Sequence, residues 1–327
     1  MNIIFYEVKP EEKQAYQQEF GKENCTFFDY PLNENTAPQN NNAEIISIFV
    51  CSSITKNVLK NFPKLQLIIT RSTGTDQIDL KATKKSAITV RNLPDYAQIT
   101  VAEFTFALIL MLSRKLKQTI KNISDLNYST ESLRGFDLYS KTIGIIGMGN
   151  IGKHVAQIAR GFSMNIIAYD VNQDPECAQE FDFCYVELKK LLSKADIITL
   201  HVPLNPDTKH LINLENIGHI KKGALLINTA RGEIVQTKAL VQALQQHIIS
   251  GAGLDVLENE CKTQNITETI TKKASEDALN IVLCNCWLAQ QPNVIITPHT
   301  AFNSSDALHR SIKKTIEIIN HFKNLLR

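Results

Sequence analysis

Thr142-Ile-Gly-Ile-Ile-Gly-Met-Gly-Asn-Ile-Gly-Lys-His-Val-Ala-Gln-Ile-Ala-Arg-Gly-Phe-Ser-Met-Asn-Ile-Ile-Ala-Tyr-Asp170 sets an apolar run, three spaced glycines, a helical stretch, a second apolar run and an acid in the order that holds a dinucleotide. Gly147 is placed to make the tight turn out of the first strand, Gly149 to admit a pyrophosphate against the backbone, and Gly152 to let the helix lie close on the sheet. The phosphates then face a helix N-terminus, where N–H groups without intrahelical partners and the macrodipole favour negative charge. After the last glycine, Val155, Ile158, Ala159 and Phe162 recur at i, i+3, i+4 and i+7, the inward stripe of a helix. Asn150 and Ile151 occupy its first turn. Asp170 follows Gly147 by roughly 20 residues, at the end of the second strand, where a carboxylate accepts hydrogen bonds from ribose hydroxyls. A 2′-phosphate would meet a like charge there, so the sequence predicts NAD rather than NADP.

The rest of the chain bounds what surrounds this unit. With 327 residues, 43% of them hydrophobic and 21% charged, it is long enough for two domains with substantial cores, and disordered or collagen-like structure is excluded. The net charge of +2 is spread without a basic block, which argues against nucleic acid and anionic membrane and leaves small molecules and further copies of the chain as expected partners. The most apolar stretch, Phe104 to Leu112, falls well short of the roughly 18 residues that span a bilayer. Met1 to Tyr6 reads directly as a strand without a basic leader, so a cytoplasmic location is expected. Seven cysteines, Cys25, Cys51, Cys177, Cys184, Cys261, Cys284 and Cys286, are odd in number and irregularly spaced, and read as thiols. Cys284-Asn285-Cys286 lacks a second ligand pair at zinc spacing, and no metal is expected.

Apolar runs at Ile3 to Val8, Thr26 to Phe28, Ile45 to Val50, Leu65 to Thr70 and Ala87 to Val90 alternate with helical stretches, the pattern of a small parallel α/β unit. The Asn-rich stretch from Asn33 to Asn42 reads as a polar loop. Val101 to Leu116 is apolar almost all round, as in a helix buried on several sides. Lys117 to Tyr139 is more polar and less regular. Beyond the glycine unit, strands are expected at Ile197 to His201, Leu225 to Asn228, Gly251 to Val256 and Val294 to Thr297, with helices such as Val186 to Leu192 and Thr237 to Gln246 between them. Strands alternating with helices predict a doubly wound parallel sheet. Residues 302–327 read as one amphipathic helix with no strand left to follow it.

Three polar residues stand where strands of this sheet should end: Arg231 in Asn-Thr-Ala-Arg-Gly, Glu260 in Leu-Glu-Asn-Glu, and His299 in Thr-Pro-His-Thr-Ala. Ligands of open α/β sheets bind at those carboxyl ends. A guanidinium grips a carboxylate through two parallel N–H bonds. An imidazole exchanges a proton near neutrality, and a neighbouring carboxylate orients it. Together they suit hydride transfer between nicotinamide and the carbonyl carbon of a 2-keto acid, with proton transfer to its oxygen.

These residues carry a resemblance that runs through nearly the whole chain. Ile69-Thr-Arg-Ser-Thr-Gly-Thr-Asp-Gln-Ile-Asp79, Leu93-Pro-Asp-Tyr-Ala97, Thr100-Val-Ala-Glu103, Leu200-His-Val-Pro-Leu204, Asn228-Thr-Ala-Arg-Gly232 and Gly253-Leu-Asp255 resemble motifs of the D-isomer-specific 2-hydroxyacid dehydrogenase family, and most closely its D-lactate dehydrogenase-like members. The resemblance implies two doubly wound parallel-sheet domains, with a Rossmann NAD-binding domain at 101–299 inserted in a flavodoxin-like substrate domain made of 1–100 and the returning helix at 300–327. It implies that Arg231 binds the substrate carboxylate, His299 is the acid/base and Glu260 its orienting partner, in a cleft between the domains. The backbone N–H groups of Thr73 and Gly74 would complete the carboxylate site. Tyr96 and Phe302 resemble positions of an apolar pocket, which favours a small aliphatic, pyruvate-like keto acid, although domain-junction packing accounts for them equally well. Thr100, His201, Val202, Pro203, Thr229, Ala230 and Asp255 would join the glycine unit in holding NAD, with Asp255 beside the nicotinamide. A homodimer is expected by the same likeness.

The segment from Cys261 to Gln291 departs from the family pattern in length, and Glu260 is followed by Cys rather than the frequent Pro. Glu258, two residues away, is the rival to Glu260, which is kept because its spacing from Arg231 resembles that in D-lactate dehydrogenases. Glycerate or phosphoglycerate as the hydroxy acid, and an NAD(H)-sensing scaffold resembling the C-terminal-binding-protein corepressors, are the competing functional readings.

Overall fold

Residues 1–260 and 275–325 are described by the structure, a computed structural model. Cys261, with the first part of the departing segment, lies outside them. The described chain forms two compact units, Met1–Ala97 with Asn303–Arg327, and Gln98–Phe302, so the second is an insertion in the chain of the first. The chain leaves the first unit where a long helix begins at Gln98 and returns to it after Phe302, which puts Tyr96 in the first unit and Thr100 and Phe302 in the second.

In the first unit, strands β1 (Ile3–Phe5), β2 (Cys25–Phe27), β3 (Ile45–Ile48), β4 (Leu67–Thr70) and β5 (Thr89–Asn92) pair in parallel in the order β2-β1-β3-β4-β5. That is the flavodoxin-like order. Every residue of β1, β3 and β4 is buried, and strands covered on both faces read as unbroken apolar runs. Helices α1 (Pro10–Phe20), α2 (Lys56–Leu59) and α3 (Leu80–Lys85) make the crossovers. Proline opens α1, where its missing N–H costs nothing, and the Glu12 carboxylate accepts from Lys9 N–H at 3.0 Å.

The same Glu12 meets a buried charge. Arg71, 2% exposed at the end of β4, places Nε 3.2 Å from Glu12 and donates to Ser47 Oγ and to the carbonyls of Tyr6 and Glu7. A guanidinium so far from water is tolerated because an anion and three further acceptors replace its hydration. The result is a fixed starting point for the Ser72-Thr73-Gly74 loop.

The second unit starts with α4 (Gln98–Ser113) and α5 (Leu116–Ser124), separated by Lys115 in the left-handed region at φ 51. Helix α5 was not expected from the sequence, which reads as irregular there. Its apolar stripe of Leu116, Ile120 and Ile123 is exposed, so no core face marks it. There follow β6 (Thr142–Ile146), α6 (Asn150–Gly161), β7 (Asn165–Tyr169), α7 (Pro175–Glu180), β8 (Cys184–Tyr185), α8 (Leu188–Lys194) and β9 (Ile197–Leu200). Then come β10 (Ala224–Asn228), α9 (Thr237–Gln245), β11 (Ile249–Leu254), α10 (Glu276–Gln290) and β12 (Val294–Ile296). Cys284 and Cys286 lie on α10.

All seven strands are parallel, in the order β12-β11-β10-β9-β6-β7-β8. The order reverses at the adjacent pair β6 and β9, which opens a crevice at their carboxyl ends. Alternate residues feed two separate cores, as a period of two requires: Ile143, Ile145, Ile197, Leu225 and Ile227 join α4 and α6, while Ile146, Ile198, Leu226 and Leu254 join α8, α9 and α10. The C-terminal helix α11 (Ser305–Leu325) belongs to the first unit, where Arg310 Nε donates to Tyr96 O at 2.7 Å and Asn320 to Glu19 at 2.8 Å.

Candidate active site

The glycine unit occupies the first half of the crevice. Gly147 has φ 97, and a Cβ on it would stand 2.7 Å from the His201 carbonyl carbon, so both conformation and space require glycine. A Cβ on Gly152 would strike the Gly147 carbonyl, which lets α6 start hard against the turn. Gly149, at the mouth of α6, is different: its chain neighbours and own helix backbone aside, no atom of the described residues lies within 4 Å of where its Cβ would be. That space adjoins the first N–H groups of α6, those of Asn150 and Ile151, ahead of the first helical bond from Lys153 N–H to Gly149 O. The cradle fits a dinucleotide pyrophosphate.

Asp170 sits just past β7 and clamps this loop. One carboxylate oxygen accepts from Met148 N–H at 2.7 Å and the other from Asn172 N–H at 2.8 Å. A carboxylate offers about four acceptor positions, so capacity remains for a ribose diol. His201, Val202 and Pro203 follow β9 on the far side of Gly147. His201 shares a 2.8 Å hydrogen bond between Nε2 and Thr199 Oγ1, its Nδ1 is buried without a partner among the described residues, and desolvation pushes its pKa down to about 3. A neutral ring with one orphaned nitrogen beside the glycine turn also fits a polar ligand there.

The second half of the crevice is built from the ends of β10, β11 and β12. Asn228, 1% exposed, donates to Arg231 O and accepts from Ala230 N–H, which shapes the Thr229-Ala230-Arg231 turn. Thr105 gives its hydroxyl proton to Val101 O, so Thr229 donates to Thr105 across 3.0 Å. Arg231 Nη1 donates to Ala230 O. Gly232 lies so close to the Leu257 and Glu258 backbone that a Cβ there would overlap it.

Asp255 ends β11 with a carboxylate 1% exposed. Oδ1 accepts from Thr297 Oγ1 at 2.5 Å and Thr300 N–H at 2.9 Å, Oδ2 accepts from Ala301 N–H at 2.8 Å, and Asp255 O accepts from His299 N–H. The acid is therefore occupied with holding the loop that carries His299, itself left-handed at φ 51. His299 Nδ1 lies 3.4 Å from Glu260 Oε2, both side chains being 23% exposed. The ring of Phe302 stands edge-on to that of His299 at 6.3 Å. Arg231, Glu260 and His299 line one recess together with Glu233, Leu257 and Asn259.

Glu258 faces elsewhere: its carboxylate, 7% exposed as a residue, accepts from His210 Nε2 at 2.8 Å and from Thr237 N–H and Oγ1 at the start of α9. These partners were not apparent in the sequence, where 48 residues separate Glu258 from His210 and 21 from Thr237.

In the first unit, the Thr73 and Gly74 loop is braced by Ser72 Oγ donating to Gly74 O at 2.8 Å, Asn92 donating to Thr73 O at 2.7 Å and Gln77 donating to Ser72 Oγ. Among the described residues the N–H groups of Thr73 and Gly74 have no acceptor within hydrogen-bonding distance. Tyr96 is buried at 5% exposure, and Thr100 lies in the first turn of α4.

Comparison with known proteins bears on the whole chain. The family model for the D-isomer specific 2-hydroxyacid dehydrogenase, NAD binding domain, matches residues 106–301. The D-lactate dehydrogenase of Escherichia coli (strain K12) is 33% identical over 328 residues, covering 99% of this chain and 97% of that protein. A D-specific alpha-keto acid dehydrogenase of Enterococcus faecium is 38% identical over 287 residues, covering 87% and 84%. The crystal structure of D-lactate dehydrogenase from Aquifex aeolicus, complexed with NAD and lactic acid, superposes with a TM-score of 0.88 at 37% identity, covering 99% of this chain and 96% of that one. With a glycine turn shaped for NAD and this breadth of similarity, the chain belongs to the D-isomer-specific 2-hydroxyacid dehydrogenase family and is an NAD-dependent dehydrogenase.

Proposed function

We propose that the chain reversibly reduces a small, pyruvate-like 2-keto acid to the D-2-hydroxy acid. The observation that carries this is the recess lined by Arg231, Glu260 and His299, with the His299 ring 3.4 Å from the Glu260 carboxylate. NADH bound at the glycine turn supplies the hydride for the carbonyl carbon. Arg231 orients the substrate carboxylate through paired N–H donors. His299, with Nδ1 towards Glu260, delivers the proton on Nε2 to the carbonyl oxygen and takes it back in the oxidative direction. Glu260 fixes the tautomer and the ring plane that this requires. Asp255 positions the His299 loop. Phe302, edge-on to His299, borders the substrate side chain and restricts its size.

Support for a small keto acid comes from the relatives named above, which include D-lactate dehydrogenases. The test is NADH oxidation against pyruvate, phenylpyruvate, glyoxylate and hydroxypyruvate. Pyruvate should give the highest kcat/KM and the D product; preference for hydroxypyruvate or glyoxylate would refute the substrate assignment, and no oxidation with any would refute the reaction. A homodimer is supported by the exposed apolar residues Ile120, Ile123, Leu126 and Tyr128, and sedimentation of the protein as a monomer would refute it. No described helix is long and apolar enough to cross a membrane.

A further inference from the structure

Glu258 and Glu260 stand two residues apart and serve different partners. Between them Asn259 is left-handed at φ 55, a conformation that asparagine tolerates better than most side chains. The chain reverses there. On one side Glu260 reaches His299; on the other Glu258 is sunk among three donors, His210 Nε2 at 2.8 Å, Thr237 N–H at 3.1 Å and Thr237 Oγ1 at 2.8 Å. Thr237 is the first residue of α9, so the carboxylate also meets the positive end of a helix dipole. The backbone of the same residue is gripped too: Asn285 of α10 donates to Glu258 O at 2.9 Å, and Gly232 abuts the Leu257–Glu258 peptide. His210 is itself tied down, because its N–H donates to Glu233 O and its carbonyl accepts from Asn213. A carboxylate is only an acceptor, so His210 presents Nε2–H to it.

We propose that Glu258 and His210 are positioning residues for the reaction: their hydrogen bond, with the Thr237 cap, fixes the left-handed turn at Asn259 and so holds Glu260 against His299. This rests on the reading that Glu260 orients His299. Glu258 touches neither the recess nor His299. It acts by denying the Val256–Glu260 loop any second conformation, and catalysis is sensitive to misplacement of that kind, about a hundredfold for roughly 1 Å.

The test compares pH profiles of kcat/KM for keto-acid reduction in Glu258→Gln, Glu260→Gln and the double variant, with thermal unfolding measured alongside. The charged groups lining the recess, Arg231, Glu233, Glu260 and His299, are otherwise left intact. Glu260→Gln should displace the profile and lower kcat. Glu258→Gln should lower kcat about tenfold, with the keto-acid KM less affected, and displace the profile in the same direction; the double variant should be displaced no further than Glu260→Gln. Should Glu258→Gln fail to fold, the partly exposed His210→Ala carries the same comparison, and His210→Gln, which restores an N–H donor, should recover much of the lost kcat. A displaced profile in Glu260→Gln beside an unchanged profile and kcat in the Glu258 or His210 variants overturns the positioning role alone. An unchanged profile in Glu260→Gln overturns the reading of Glu260, and the positioning role with it.

Discussion

The two halves of the seven-stranded sheet solve the problem of holding a polar site differently. From β6 to β7 the backbone does the work: a glycine turn, an open space at Gly149 and the first turn of α6, with Asp170 the main side-chain clamp. From β10 to β12 the loops are held by buried side chains: Asn228 shapes the turn that follows β10, while Asp255 and Glu258 reach partners on other elements. Asp170 and Asp255 make the contrast concrete. Both follow a strand, but Asp170 keeps acceptor capacity for a ligand while Asp255 has its oxygens engaged by the loop it steadies. A half that binds a constant ligand can be made of backbone; a half proposed to perform proton transfer needs side chains locked in place.

If the halves are separable in this way, their variants should be too. The largest effect is expected for His299→Ala, where loss of the proposed general acid should lower kcat by about 10²- to 10⁴-fold and leave NADH affinity unchanged. A parallel loss of NADH affinity, measured by fluorescence titration, would break the separation. Asp170→Ala should do the reverse, weakening NADH by about tenfold, as loss of hydrogen bonds to a charged group implies, narrowing the preference over NADPH and sparing kcat at saturation. An unchanged NADH/NADPH ratio would remove Asp170 from the cofactor site.

The smallest expected effect belongs to His201, which follows β9, next to the reversal of strand order. Its folded-state pKa of about 3 lies below the ordinary 6.5, so the unfolded chain binds the proton more readily. The ring's contribution to stability is therefore intact above about pH 6.5 and is lost as pH falls towards about 3, on the order of 1 kcal/mol for a residue that keeps some solvent contact. Urea unfolding at pH 7, 5 and 4 should show wild type losing more stability than His201→Gln over that window; equal slopes would mean that the ring is solvated.

The same contrast explains what could be read from the sequence. The glycine unit was legible because its physics is local: spacing, period and a terminal acid lie within one continuous stretch. Strands β1, β3 and β4, and β9 to β12, were legible because burial on both faces leaves apolar runs. Helix α5 was not, because its apolar stripe faces solvent. Helix α10 was obscured within a stretch rich in charges and cysteine. Arg231, Glu260 and His299 are proposed from chemistry and likeness, but the donors around Glu258 and Asp255 come from residues 21 to 48 positions away. Nothing in a local pattern announces such pairs.

The bonds from Asp255 to Thr297, Thr300 and Ala301 have a consequence for change over time. They close the chain on itself across the whole excursion between β11 and β12, α10 included, so His299 takes its place from the strand ends rather than from the path between them. The exposed face of α10 can therefore change with little mechanical effect on the His299 loop, whereas Asn285, which holds the Glu258 carbonyl, cannot. Substitution of the exposed Leu283 on α10 should be tolerated far better than a single substitution at Asp255.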